Sequence, residues 1–439
     1  MAHPVRSTLS ENTLLPLGAL LLAASAGAMA QTPPPADART LSTVIVKEKA
    51  ETPEGKEALR ATTTQIGRGK QELRDVPQSI TVVTEKLIDD RNLDTIKDVL
   101  RNTGGVTFQA AEGGEEDIRL RGFSLAGTGD LFMDGMRDPA FYDRDTFNND
   151  RVEVLRGSAS MLFGRGSTGG AVNQVSKPPR LMTEHEVTTT IGSHSYGRIT
   201  GDFNIQTGPD AALRINAMKT RADNNGAGSS IDKQGLAAAY RWGVGTTNEF
   251  MANLYWLDNQ NGINYGLPWI RPNASDLSSA NTLLPGLSPK AYYGMASDYN
   301  DGGAKMAGLS HIHRFSGDVE LKTQIRKGVF TRDQRASTIR LLPGAALANF
   351  GPGTAFTRGT QLKIQDVDTL YAQSDLTAKL DAFGMRHELQ AGVDASREEK
   401  TVYLARTAAQ GGVTLTKPNT TAGTPFDGAS IDESSRVLR

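Results

Sequence analysis

The stretch Asp150–Lys177, DRVEVLRGSASMLFGRGSTGGAVNQVSK, decides the fold of this chain. A β-branched strand ends in a turn at Gly157, and a cluster of glycines then leads into a second strand, AVNQVSK, which stops before Pro178. Upstream, LFMDG at 131–135 adds a further short strand that ends in a glycine. Short strands punctuated by glycine predict a small globular domain in this part of the chain.

The glycine cluster also matches G-x-G-x-x-G, the pattern of dinucleotide-binding turns, at Gly164, Gly166 and Gly169. Such a turn should follow a strand and open a helix. Here the glycines precede a strand-like segment and two prolines, so we expect them to permit positive φ angles and close backbone packing instead. No nucleophile elbow, Walker motif or HExxH sequence occurs. An enzyme with a nucleotide site is therefore the least favoured interpretation of this sequence, and no catalytic residue is predicted.

Composition narrows the class further. At 439 residues the chain should hold two structural units. Lys and Arg total 48 against 49 Asp and Glu, a formal net charge of -1 that gives no reason to expect nucleic acid as a partner. The absence of cysteine excludes disulfides and thiolate metal sites. The histidines are scattered, and the strand-spaced pair His311 and His313 has no third ligand nearby, so no metal site and no cofactor are predicted.

The amino-terminal region, residues 1–30, has the pattern of a signal peptide. Arg6 precedes an apolar stretch from Leu14 to Ala26, and an A-x-A site ends at Ala30. This predicts export across the inner membrane. No later segment offers 18 uninterrupted apolar residues, so any membrane-spanning part must be a β-barrel.

Three regions follow the predicted cleavage point. Residues 31–70 read as a proline-containing tether with an isolated β-branched segment, LSTVIV, at 41–46. Residues 71–180 form a mixed α and β domain, with a strand at Asp75–Val83, a helix over Thr84–Leu100 that Thr84 caps, and a break at Asn102–Gly105.

Residues 181–439 have long amphipathic strands instead. Strands are predicted near 185–192, 196–206, 211–221, 234–241, 247–257, 304–314, 317–331, 367–379 and 385–397. Tight turns alternate with long excursions such as 258–303, which is typical of outer-membrane barrels. A soluble repeat or sandwich protein is the alternative.

Three segments carry a resemblance to a known family: LFMDG, RDTFNNDRVEVLRG and SMLFGRGSTGGAVNQVSK. They resemble the plug domain of TonB-dependent outer-membrane receptors, and within that family the catecholate-siderophore branch. The resemblance implies an α+β plug followed by antiparallel transmembrane β-barrel strands, in the outer membrane of a Gram-negative cell and in contact with its lipid. It also implies a ferric siderophore as cargo, without a resident cofactor.

The same resemblance assigns roles outside the plug core. The segment Leu41, Ser42, Thr43, Val44, Ile45 and Val46 would be the TonB box, which the periplasmic partner TonB captures by strand addition. An ordinary first strand of the plug is the alternative. Only about ten residues separate the predicted cleavage point from this box, which leaves no space for an additional signalling domain.

The chain departs from the family in two respects. Receptors of this family close 22 strands around the plug, whereas nine are predicted here, and the chain ends in SSRVLR without a terminal aromatic residue. We therefore expect a receptor truncated within its barrel that does not transport alone. A non-transporting siderophore-binding or decoy fragment is the second interpretation.

Candidate site residues come from two groups. A bulky, anionic, aromatic ferric catecholate requires cationic and aromatic surfaces. The predicted substrate-binding residues are Arg137, Phe141, Tyr142, Arg144, Tyr265, Trp269, Tyr292 and Tyr293. Against this assignment, the neighbouring loop 109–117 carries Glu112, Glu115 and Glu116, which would repel an anion.

By the same resemblance, Arg121 and Arg156 would lock the plug by pairing with glutamates of the barrel wall. Pairing inside the plug with Glu153 or Asp134 is the open alternative.

Overall fold

The structure is a computed structural model. It describes residues 3–8, 56–66, 69–108, 116–125, 130–138, 142–159, 168–223, 230–264, 269–270, 282–283, 293–294, 298–342, 354–405, 413–414 and 431–438. The predicted TonB box at 41–46 and all of the predicted signal peptide except 3–8 lie outside these ranges. The backbone of β1 (His3–Thr8) pairs with residues 186–191, the first long strand after the amino-terminal domain. This pairing does not test whether residues 1–30 are cleaved, and the signal peptide stays a prediction.

The amino-terminal domain is built on a five-stranded sheet, whose strands follow in the order β4 (Ser79–Thr84), β10 (Asn149–Arg156), β11 (Gly170–Ser176), β8 (Leu131–Met133) and β9 (Met136–Arg137). The stretch Asp150–Lys177 supplies the centre of this sheet, because β10 and β11 pair antiparallel with each other, and β11 pairs parallel with β8. The strands of the domain are β2 (Thr63–Thr64), β3 (Gln71–Glu72), β4 (Ser79–Thr84), β5 (Val106–Phe108), β6 (Ile118–Leu120), β7 (Phe123–Ser124), β8 (Leu131–Met133), β9 (Met136–Arg137), β10 (Asn149–Arg156) and β11 (Gly170–Ser176).

Two short helices replace the single predicted helix over 84–100. Helix α1 (Glu85–Asp90) begins where the Thr84 side chain accepts a hydrogen bond from the Leu87 amide, as predicted, and α2 (Ile96–Arg101) is capped in the same way by Thr95. Asn92, with a φ of 50°, interrupts the chain between them. The expectation of one continuous helix was wrong, because an α-helix cannot continue through a residue whose backbone is in the left-handed region. The helices pack their buried Ile88, Ile96 and Leu100 into the core of the domain.

Nine long strands follow at the predicted positions, and we call their sheet the wall. They are β12 (Glu184–Ile191), β13 (Gly197–Gly208), β14 (Ala211–Ala222), β15 (Ile231–Trp242), β16 (Asn248–Asn261), β19 (Tyr299–Arg314), β20 (Val319–Leu341), β21 (Ala355–Ala382) and β22 (Met385–Ala405). Each pairs antiparallel with its neighbour in the order of the chain. Two of them run further than predicted, since β20 ends at Leu341 instead of near 331 and β21 begins at Ala355 instead of near 367. Two short strands join the wall: β23 (Val413–Thr414) pairs with β21, and β24 (Ile431–Leu438) pairs with β22. Strands β17 (Trp269–Ile270) and β18 (Thr282–Leu283) pair with each other in a separate sheet.

The two faces of the wall have opposite polarity. In β16, Tyr255 stacks on Phe147 of the amino-terminal domain and Asn259 donates to the carbonyl of Asp143, whereas Leu254 lies on the other face and is 62% exposed. The outward face also carries the exposed side chains of Ile199, Leu236, Leu309, Ile325 and Leu370. A sheet that is polar toward its contents and apolar outside matches transmembrane barrel strands. No helix in the described ranges is long and apolar enough to cross a membrane.

Glycine is required where β11 begins. Gly170 has a φ of 135°, and a Cβ atom there would stand 2.0 Å from the Leu155 carbonyl oxygen. At Gly169 a Cβ atom would stand 2.2 Å from the Leu120 carbonyl oxygen. The predicted close backbone packing is thus present at Gly169, while Gly164 and Gly166 lie outside the described residues.

Candidate functional site

The amino-terminal domain sits on the polar face of the wall through buried ion pairs. The Arg198 guanidinium of β13 donates two hydrogen bonds to the Asp145 carboxylate, at 2.7 and 3.0 Å, and its Nε lies 3.3 Å from Asp94. The Tyr196 hydroxyl also donates to Asp94. Arg198 and Asp145 are both buried away from water, so each charge is stabilised mainly by the other.

A second group of ion pairs lies further along the same strands. Lys177, just after β11, contacts Glu85 of α1 at 2.9 Å and Asp202 of β13 at 3.2 Å. Arg214 of β14 donates to Asp202 through two nitrogens, at 2.8 and 2.6 Å. Burial works to lower the pKa of Lys177, but the carboxylates of Glu85 and Asp202 outweigh it and hold that pKa above its ordinary value. Lys177 is therefore charged and fixed between the domain and the wall.

The segment from Asp143 to Thr146 joins the domain to the wall at alternating positions. Asp143 accepts from Lys233 of β15 at 2.6 Å, and Asp145 accepts from Arg198. Thr146 turns back into the domain, where its hydroxyl donates to the Leu93 carbonyl at 2.7 Å. An extended segment alternates its side chains, which is why one residue in two reaches the wall.

Arg144, between the two aspartates, points into the domain and is completely buried. Its Nε donates to Asp138 at 2.7 Å, and its Nη1 donates to Glu116. The guanidinium also lies 4.3 Å from the centre of the Tyr142 ring, whose hydroxyl donates to Asp138 at 2.8 Å. We call Glu116, Asp138, Tyr142 and Arg144 the apical cluster.

Burial shapes the ionisation of this cluster. It raises the pKa of Glu116 to about 7, against the opposing effect of Arg144. Burial and the nearby Asp138 raise the pKa of Tyr142 well above its ordinary range. For Arg144 burial acts to lower the pKa, but Asp138 and its neighbours raise it, so the guanidinium keeps its charge. The charged Arg144 is therefore held by two carboxyl groups, and one of them, Glu116, has a pKa near neutral pH.

Apolar and aromatic contacts complete the interface. Tyr142 packs on Phe330 of β20, with ring centres 5.3 Å apart. Arg326 of the same strand donates to the carbonyls of Met133, at 3.0 Å, and Arg137. On β15, Gly235 leaves room for Phe147, because a Cβ atom there would stand 2.7 Å from that ring.

The structure places the predicted substrate-binding residues in different surroundings. Tyr142 and Arg144 lie together in the apical cluster, where neither is open to a bulky ligand. Arg137 is partly exposed at the end of β9, Trp269 is 52% exposed on β17, and Tyr293 is buried. The other three, Phe141, Tyr265 and Tyr292, lie outside the described residues.

Arg121 and Arg156, the predicted plug-locking residues, differ from expectation in their surroundings. Arg121 was expected on a mostly buried strand, but it is exposed in the turn between β6 and β7 with a φ of 52°. Arg156 donates to the Gly104 carbonyl at 2.8 Å and to the Thr81 hydroxyl at 2.9 Å. Partial burial, and to a smaller extent the positive charge of Arg121, lower the pKa of Arg156.

The alternative partners inside the plug are engaged elsewhere. Glu153 accepts from Arg151 at 3.0 Å, and Asp134 accepts from the Ser176 hydroxyl at 2.8 Å. Pairing of the two arginines with these acids is therefore not what the structure has, and the ion pair with a barrel-wall glutamate stays a prediction.

Sequence reasoning missed Arg198, Lys233 and their aspartate partners. A signal was present in β13. Arg198 and Asp202 are four residues apart, so they lie on one face of the strand, whereas the apolar Ile199 lies on the other. His311 and His313 do share one face of β19, and a ring nitrogen of each lies within 3.0 Å of the Asn248 side-chain oxygen. Within the described ranges, no group of three or more His, Cys, Asp or Glu residues could hold a metal ion.

Comparison with known proteins agrees with this architecture. Residues 72–171 match the family model described as TonB-dependent Receptor Plug Domain. The chain is 28% identical over 410 residues to the probable TonB-dependent receptor BfrD of Bordetella pertussis, covering 92% of this chain and 52% of the relative. It is 29% identical over 345 residues to the catecholate siderophore receptor Fiu of Escherichia coli K12, covering 75% of this chain and 45% of the relative. The chain thus spans about half the length of the curated relatives it matches.

Solved structures share the fold. The closed form of the ferric-catecholate import receptor Fiu from Escherichia coli superposes with a TM-score of 0.74 at 25% identity, covering 87% of this chain and 54% of that receptor. The siderophore receptor PiuA of Acinetobacter baumannii gives a TM-score of 0.74 at 23% identity, covering 87% of this chain and 56% of that receptor. Residues 72–171 thus match the plug domain of TonB-dependent receptors, and the chain as a whole is similar in sequence and in fold to the plug and the adjoining barrel strands of such receptors.

Proposed function

We propose that this chain belongs to an outer-membrane receptor that imports ferric siderophores, of the catecholate class, with energy delivered by TonB. The observation that carries the proposal is the seating of the plug, through Arg198, Lys233 and Lys177, on the polar face of a wall whose other face is apolar. A plug held by ion pairs inside a membrane-spanning wall closes a passage and needs an external source of energy to open it. The similarity to Fiu supports catecholates as the cargo class.

The remaining roles follow from this function. Residues 1–30 would direct export, and Leu41–Val46 would add a strand to TonB in the periplasm. Arg121 and Arg156 would meet acidic residues of further wall strands, since Arg121 is exposed on the plug. The ferric siderophore is cargo, and no resident cofactor is required for its passage.

Uptake tests the function as a whole. We expect cells that express the protein containing this chain, and lack other catecholate receptors, to accumulate radioactive iron from a ferric catecholate only when TonB is present. Uptake that is equal with and without TonB would contradict energisation through this partner. Binding without any uptake would support the second interpretation, a siderophore-binding or decoy protein.

Two predicted contact residues in the described ranges can be tested by binding. Arg137→Ala and Trp269→Ala should each weaken the affinity for a ferric tris-catecholate by about three- to tenfold, because a cation and an exposed aromatic face are lost. Isothermal titration calorimetry in detergent micelles measures this. Arg386→Ala is the matched control, since Arg386 is 65% exposed beside the short turn that follows β21. Unchanged affinity in both test variants would remove them from the site.

A further inference from the structure

We infer that Arg144 is a positioning residue for cargo binding: it acts through Asp138 on Arg137 and does not itself touch the cargo. This inference rests on the proposed function and refines the prediction that Arg144 binds substrate directly. The first observation is its enclosure. The Arg144 side chain is 1% exposed, and those of Glu116 and Asp138 are 1% and 0% exposed.

The donors of Arg144 are already engaged. Besides the two carboxylates, Nη1 lies 3.4 Å from the Tyr142 carbonyl oxygen and Nη2 lies 3.5 Å from the Asp138 carbonyl oxygen. The backbone amide of Arg144 donates to Glu116 at 3.3 Å. A cargo could receive this guanidinium only if two buried carboxylates lost their partner, which is strongly unfavourable.

A single residue, Asp138, connects the Arg144 side chain to Arg137. Asp138 follows Arg137 directly, and the Asp138 amide donates to the Leu131 carbonyl at 2.9 Å, which closes the hairpin of β8 and β9. The Arg137 carbonyl accepts from Arg326 of the wall. Arg137 is therefore held from the plug side through Asp138 and from the wall side through its own backbone, while its side chain keeps part of its surface exposed.

Positioning and direct contact predict opposite effects of removing the acid. If Arg144 bound an anionic cargo itself, Asp138→Asn would remove a competing negative charge, and affinity would rise or stay unchanged. If Arg144 acts by holding Asp138, the same substitution loosens the hold on Arg137, and affinity falls. Arg144→Ala and Asp138→Asn would then break one shared interaction, so their effects on binding would not add.

The test is a double-mutant cycle on the protein that contains this chain, in detergent micelles, with a ferric tris-catecholate as the probe. We expect Arg144→Ala and Asp138→Asn each to weaken binding by about tenfold. The double variant should bind no more weakly than Arg144→Ala alone, and Arg144→Lys should recover part of the loss. Additive losses, or tighter binding by Asp138→Asn, would overturn the inference.

A gentler variant covers the case in which Arg144→Ala fails to fold. Glu116→Gln keeps the shape of the side chain and mimics its protonated form. The charged groups that face Glu116 are Arg144, Asp143 and Lys97, and burial places its pKa at about 7. Below that pH Glu116 is neutral and holds Arg144 less firmly, so wild-type affinity should fall between pH 8 and pH 6 relative to that of Glu116→Gln.

The outcomes separate the inference from the function on which it rests. Equal pH profiles for wild type and Glu116→Gln would contradict the role of this cluster while leaving cargo binding intact. A wild-type protein that does not bind the ferric catecholate at any pH would overturn the proposed cargo and the inference together.

Discussion

Arg198→Ala is expected to lower the free energy of unfolding by about 3–5 kcal/mol, because it leaves two carboxylates without their buried cation. Asp145 loses both of its hydrogen bonds from the guanidinium, and Asp94 keeps only the Tyr196 hydroxyl among the partners described above. The plug should consequently separate from β13 at a lower concentration of denaturant than the wild-type protein needs.

Denaturant unfolding in detergent micelles, followed by tryptophan fluorescence, measures this loss. The matched control is Arg397→Ala, which removes the same side chain from a position where it is 71% exposed and donates to Glu399 at the surface. Exposed pairs contribute little, so the control should unfold like the wild type. Equal midpoints for Arg198→Ala and the control would show that this ion pair does not hold the plug.

Gly170→Ala should destabilise the plug by at least about 3 kcal/mol, because strain and overpacking act together. The residue has a φ of 135°, where a side chain is rarely accommodated, and its Cβ atom would stand 2.6 Å from the Leu120 side chain as well as 2.0 Å from the Leu155 carbonyl oxygen. The start of β11 would have to move away from β10, and these two strands are the centre of the plug sheet.

A second glycine provides the control for that substitution. Gly197, at the start of β13, has open space within 4 Å of a Cβ atom and no positive φ. Gly197→Ala should therefore fold normally. Limited proteolysis compares the two variants, with early cleavage inside residues 72–171 expected for Gly170→Ala alone. A protease-resistant plug in Gly170→Ala would contradict the packing described at this turn.

The fold could be predicted from sequence to the extent that it depends on local signals. The strand, glycine turn and strand of Asp150–Lys177 became β10 and β11, and alternating apolar residues located all nine long wall strands. Local signals failed at Asn92, where a left-handed residue divided the predicted helix. Asparagine adopts this conformation more readily than most residues, but its presence in a sequence does not require it.

The site was predictable in composition and not in geometry. The sequence indicated that residues 137–147 are rich in cationic and aromatic groups, and Arg137 does keep an exposed surface. It could not indicate that Glu116, 28 residues before Arg144, and Asp138, six residues before it, would together enclose that side chain. Likewise the partner of Asp145 lies 53 residues away, on a strand whose register is fixed only when the whole sheet forms.

We propose that one face of the wall holds the plug while the other faces lipid. It can be tested by spin labels on single cysteines, since the chain has no cysteine of its own. Labels at Asn253 and Leu254 of β16, on the protein reconstituted in lipid bilayers, would be compared for collision with oxygen and with a water-soluble nickel chelate. We predict high oxygen accessibility at Leu254 and low accessibility to oxygen at Asn253. Equal values at the two neighbours, or oxygen accessibility that is higher at Asn253, would contradict this orientation of the wall.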